Sequence, residues 1–90
     1  MGFYRKKPRV IEAHQWTGEM TEEMMSFLNS STQKWMLSIF PETLKIETLE
    51  GWMLANKGDW IIKGVKNEIY PCKDDIFKET YEEVKQYEET

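Results

Sequence analysis

Short runs of alternating apolar and polar side chains, separated by turn residues, occupy residues 35–70 and leave no room for a crossover helix. Trp35, Leu37 and Ile39 share one face of a strand ended by Pro41, and Leu44, Ile46 and Thr48 alternate with Lys45 and Glu47 on the next. Glu50-Gly51 marks a tight turn into residues 52–55, and Asn56-Lys57-Gly58-Asp59 marks another into residues 60–63. Residues 64–67 then lead into residues 68–70, continuing the series. Strands joined so closely must pair antiparallel, which predicts a meander.

Upstream, residues 10–17 place Val10, Glu12, His14 and Trp16 on one face of a strand and Ile11, Ala13 and Gln15 on the other, before Thr17-Gly18 breaks it. Thr21 is placed to cap a helix running to about Asn29, with Glu22 and Glu23 against the positive end of its dipole. Met24, Phe27 and Leu28 form its apolar face, and Met20 and Met25 suit a hydrophobic staple. After Pro71, Asp74 is read as the cap of a short helix turning Ile76, Phe77 and Tyr81 inward, with Val84 closing the packing. The expectation is an α+β fold: a small curved antiparallel sheet or partly open barrel, order β-α-β-β-β-β-α, with one helix packed on the sheet. Residues 1–90 form one domain in this reading, with a basic lead-in over 1–8 and an acidic, frayed tail over 85–90.

At 90 residues the chain buries only about 60 to 65% of the surface its unfolded form exposes, so most large apolar side chains are needed for a core. Four Trp, four Tyr and four Phe are too many for a disordered chain. Trp16, Trp35, Trp52 and Trp60 are also too many for so small a core, so at least one is expected at a pocket or interface. The single cysteine, the lack of a signal-like start and the lack of any long apolar run point to a cytoplasmic protein with no membrane span. Lys6 stands where a myristoylation motif needs Ser or Thr. Arg5, Lys6, Lys7 and Arg9 could attract phosphate, but a formal net charge of -4 disfavours nucleic acid as a partner.

Residues able to carry chemistry are few. One His and one Cys without ligand spacing give no metal site, and no cofactor motif is present. Cys72, with His14 as an assisting base, is better read as a packed thiol than as a nucleophile. Asp74-Asp75 is explained by helix capping, and no nucleophile elbow or phosphate loop occurs. The chain therefore reads as a non-enzyme. Gly58-Asp59-Trp60 is the most specific local feature: glycine allows a positive φ, aspartate can bond the turn backbone, and the tryptophan re-enters the sheet.

Residues 48–82, T-L-E-G-W-M-L-A-N-K-G-D-W-I-I-K-G-V-K-N-E-I-Y-P-C-K-D-D-I-F-K-E-T-Y-E, resemble a group of small bacteriophage and prophage proteins. The R-K-K-P lead-in, the V-I-E-A strand and the Q-W-T-G turn within residues 4–19 extend the resemblance over nearly the whole chain. Lys57-Gly58-Asp59-Trp60-Ile61 also resembles, at its Gly-Asp-aromatic centre, the family named for a P-G-D-Y-G motif. These resemblances imply a phage-associated protein of the host cytoplasm and transfer no catalytic residue. The leading expectation is an accessory protein that binds a host or phage protein, with a homodimer through a sheet edge or exposed aromatic surface as one form. The competing expectation is a small-molecule, nucleotide-like ligand held by Trp52, Trp60, Lys63, Lys66 and Tyr70.

Overall fold

Thr21 starts the first helix as its side chain suggests: in an extended conformation, its Oγ1 accepts a hydrogen bond from the Met24 backbone N–H at 3.0 Å. The computed structural model in which this is seen describes residues 2–4, 9–38 and 42–84. The basic run 5–8, Ile39 with the Pro41 stop, and the acidic segment 85–90 lie outside the described residues. Helix α1 spans Glu22–Asn29 and buries Met24, Phe27 and Leu28. Met25 is 43% exposed instead of completing a staple, because it lies about 100° round the helix from Met24, outside the buried stripe. Met20 alone packs against the core there. The Ser30 and Ser31 hydroxyls donate to the carbonyls of Phe27 and Leu28, satisfying groups that the helix end leaves free.

Six strands form at the positions the sequence marked, one more than the order β-α-β-β-β-β-α counts: β1 Glu12–Gln15, β2 Trp35–Ser38, β3 Thr43–Thr48, β4 Gly51–Ala55, β5 Trp60–Lys63 and β6 Ile69–Cys72. A second helix, α2 Asp74–Thr80, closes the order. The fold is α+β with antiparallel pairing throughout its described strands, arranged as two unclosed three-stranded sheets, β1-β5-β6 and β2-β3-β4. The expected meander holds through β2, β3 and β4 and then stops. Beyond it the turn at Asn56–Asp59 carries the chain from one sheet to the other. Its backbone is engaged elsewhere: the Trp16 N–H donates to the Asp59 carbonyl at 2.8 Å and the Gly58 N–H to the Trp16 carbonyl at 2.7 Å. That pairing extends β1 and seats it beside β5, so β4 and β5 never form a hairpin.

Pro71 lies inside β6 instead of ending it, which is tolerated because β6 is an edge strand of its sheet. Asp74 is the first residue of α2 rather than its cap, and Lys73 at the cap position makes no side-chain capping bond. Ile76, expected to face inward, is exposed, while Phe77 and Tyr81 are half-buried. The helix has seven residues and no fully buried one, so it has little inward surface to offer Ile76. Val84 is exposed as well.

The core gathers Trp16, Met24, Phe27, Leu28, Leu44, Ile46, Ala55, Ile61 and Ile69, joining α1 to one face of each sheet. Gln33 ties the sheets together. Its amide nitrogen donates to the Glu47 carbonyl of β3 and the Ile69 carbonyl of β6, both at 2.8 Å, and its amide oxygen accepts from the Ile69 N–H. A side-chain amide has the donor and acceptor of a peptide group, so it can pair with Ile69 as a neighbouring strand would.

Candidate functional site

Antiparallel registers decide which side chains share a face. In β2-β3-β4, one face holds Trp35, Leu37, Leu44, Ile46, Met53 and Ala55; Leu44, Ile46 and Ala55 belong to the core and Trp35 packs against it, while Leu37 at the end of β2 is 47% exposed. The other face carries Met36, Lys45 and Leu54 in one cross-strand row. Beside it runs a second row of Lys34, Glu47 and Trp52, since the Glu47 N–H donates to the Lys34 carbonyl at 2.9 Å and Glu47 pairs with Trp52. Met36, Trp52 and Leu54 are 49%, 46% and 53% exposed. Among the described residues no ion pair engages Lys45 or Glu47. A face of this kind, with exposed apolar groups beside charges that form no ion pair among the described residues, is suited to docking another surface.

The sheet β1-β5-β6 differs, because both its faces are covered. On one face the His14 ring lies 4.2 Å from that of Phe27, and Lys63 Nζ sits 5.0 Å above the same ring. Glu12 joins them, its carboxylate 3.0 Å from His14 Nε2 and 3.5 Å from Lys63 Nζ, while Lys63 also donates to the Ser30 hydroxyl. The bond from His14 is the main cause of a Glu12 carboxyl held below its usual range, with Lys63 adding to it. A cleft of about 410 Å³ opens here between β1, β5 and α1, also lined by Glu23 and Ser26. Within the cleft the Glu12 carboxylate is already bonded to both His14 and Lys63.

On the opposite face of the same sheet, Trp60 stacks on Phe77 of α2 with ring centres 4.2 Å apart and planes 10° from parallel, and Phe77 leans on Tyr81. The Trp60 indole N–H donates to Asp74 at 2.8 Å, and Asp74 also pairs with Lys78 at 3.1 Å. These contacts, Trp60 first, hold the Asp74 carboxyl below its usual value. Burial, with the Tyr81 hydroxyl as a second cause, pushes the Tyr70 phenol up to about 12. Burial likewise raises the Cys72 thiol, reinforced by Asp59 and Asp75, so little thiolate forms at neutral pH. Cys72 shares the face of Trp60 and His14 shares that of Ile61, so the sheet separates the thiol from the imidazole.

Gly58-Asp59-Trp60 is integral to the scaffold. Gly58 has φ +99°, buried Asp59 accepts from the Asn56 N–H at 2.9 Å and pairs with Lys73 at 3.1 Å, and Trp60 anchors α2. Of the five residues proposed for a ligand, Trp60 and Tyr70 lie on the α2 face, Lys63 on the α1 face, and Lys66 in the exposed turn before β6. Trp52 lies on the other sheet altogether. The structure brings together only the first two. Met36, Lys45 and Leu54 escaped the sequence reading, although Trp35-Met36-Leu37 and Trp52-Met53-Leu54 carried a signal. In a strand with one buried face, three consecutive apolar residues must turn at least one outward. Among the described residues, no three His, Cys, Asp or Glu side chains are grouped to hold a metal ion, and no helix is long and apolar enough to cross a membrane. No family model, curated protein or solved structure matches the chain.

Proposed function

We propose that this protein is a non-enzymatic binding module that docks a protein through the outer face of β2-β3-β4. In the setting implied by its resemblance to bacteriophage and prophage proteins, it is an accessory protein acting in the host cytoplasm. One observation carries the reading: Met36, Trp52 and Leu54 expose their apolar surface together on one sheet face, around a lysine and a glutamate that form no ion pair among the described residues. Exposed tryptophan and methionine are residue types enriched where proteins meet. The raised Cys72 thiol, set on the opposite sheet face from His14, and the pairing of Glu12 with His14 and Lys63 give no comparable support to catalysis. Of the residues considered for a nucleotide-like ligand, only Trp60 and Tyr70 share a sheet face, while Lys63, Lys66 and Trp52 lie elsewhere.

Oxidative footprinting tests the proposal. Met36 and Trp52 should be protected in bacterial host cytosol relative to dilute purified protein, while exposed Val65 should react equally in both. Equal labelling of Met36 and Trp52 in the two settings would overturn it. The double variant Trp52→Ser/Leu54→Ser should keep its stability within about 1 kcal/mol, since exposed side chains contribute little to the fold, and should lose the protection of Met36.

A further inference from the structure

The outer face of β2-β3-β4 is its own complement. Resting on the docking role just assigned, we infer that its occupant is a second copy of this chain, related by a two-fold axis in the plane of contact and perpendicular to the strands. The two rows, Met36-Lys45-Leu54 and Lys34-Glu47-Trp52, are spaced by two residues along each strand, about 6.6 Å. An axis midway between them lays each row over the other row of the second copy. Lys45 then meets Glu47, Leu54 meets Trp52, and Met36 lies along the aliphatic stem of Lys34. Each contact occurs twice, as a closed symmetric interface requires. An axis along the strands would instead set Lys45 against Lys45 and Glu47 against Glu47. Only the perpendicular axis satisfies both the charges and the apolar groups.

Lys45 and Glu47 are free for this role, because neither joins an ion pair among the described residues. The face is small. Three strands ~4.8 Å apart and ~17 Å long cover roughly 250 Å² of plane, well below the ~800 Å² per partner of a tight complex. The dimer is therefore weak and concentration-dependent, with half-association at ~100 μM or above.

Sedimentation equilibrium of the purified chain from ~10 μM to ~1 mM should show this association. Lys45→Glu sets acid against acid and Glu47→Lys base against base, so each variant alone should stay monomeric. An equimolar mixture should dimerise at least as well as the original chain, because every crosswise contact is then acid against base. The exchanged double variant Lys45→Glu/Glu47→Lys should self-associate again. An original chain that stays monomeric at ~1 mM, single variants that dimerise undiminished, or a monomeric mixture of folded variants would each overturn the proposal. If the purified chain is monomeric while Met36 and Trp52 are still protected in cytosol, the second copy is excluded and docking of a different protein stands.

Discussion

The two sheets have three strands each, yet one is covered on both faces and the other on one. In β1-β5-β6 the consecutive Ile61 and Ile62 are both buried, the first against the α1 side and the second on the α2 side. In β3 the neighbours alternate: Leu44 and Ile46 are buried, while Lys45 and Glu47 reach the opposite face. A sheet that must satisfy packing on both sides has little surface left for recognition. One with a free face can spend that face on a partner without loss of fold. The placement of Trp60 and Trp52 follows the same division. Trp60 is stacked under α2, whereas Trp52 stands in the open.

The largest effect should come from removing a side chain on the covered sheet. Ile61→Ala should lower stability by about 3 kcal/mol through lost burial and a residual cavity, while Leu54→Ala should cost less than about 0.5 kcal/mol. Denaturant unfolding of the two variants measures the contrast directly, and comparable losses would erase the distinction between the sheets. Next comes the tie between them. Gln33→Leu strands the Ile69 N–H and the carbonyls of Ile69 and Glu47, for a loss of roughly 2 kcal/mol. Hydrogen exchange should then show β6 opening ahead of the hairpin β3-β4, whereas unchanged protection at Ile69 would mean that Gln33 does not couple the sheets.

Gly58→Val tests the turn where the chain leaves one sheet for the other. A Cβ there meets nothing within 4 Å, so the cost, about 1 to 2 kcal/mol, arises from the positive φ alone. Gly58→Asn should recover part of the melting temperature, since asparagine tolerates this region, and equal melting points for the two variants would argue against backbone strain. The smallest effect concerns the cover on the far face. The Asp74 carboxyl is lowered from an ordinary value of 3.8, chiefly by the Trp60 indole. Its contribution is therefore present above that value and lost as pH falls through the lower folded one. NMR of the Trp60 indole proton should show α2 loosening below about pH 3.8, and Asp74→Asn should remove that pH dependence. A resonance with the same acid titration in both proteins would assign the change to another group.

Local signals in the chain were sufficient for the elements. Thr21 capped its helix, Leu44 to Glu47 alternated as a strand with one buried face, and Gly58 turned at positive φ, because capping, period and φ depend on residues close in sequence. The candidate site was legible only in part. Trp52 was singled out, but its neighbours Met36, Lys45 and Leu54 come from three strands whose register had first to be known.

An antiparallel α+β fold, its turns and its first helix were legible in the order of residues alone. Tertiary structure alone decided that β1 would take the place beside β5, that Gln33 would join the two sheets, and that α2 would cover Trp60 while nothing in the chain's described residues covers Trp52. The reason is the range of the forces involved. A turn or a cap is settled within a few residues, but strand partnership is a competition among distant segments for the same backbone bonds and the same buried area. Trp16, whose backbone claims the 58–59 turn and whose indole bonds the Glu42 carbonyl at 3.1 Å, wins that competition for β1.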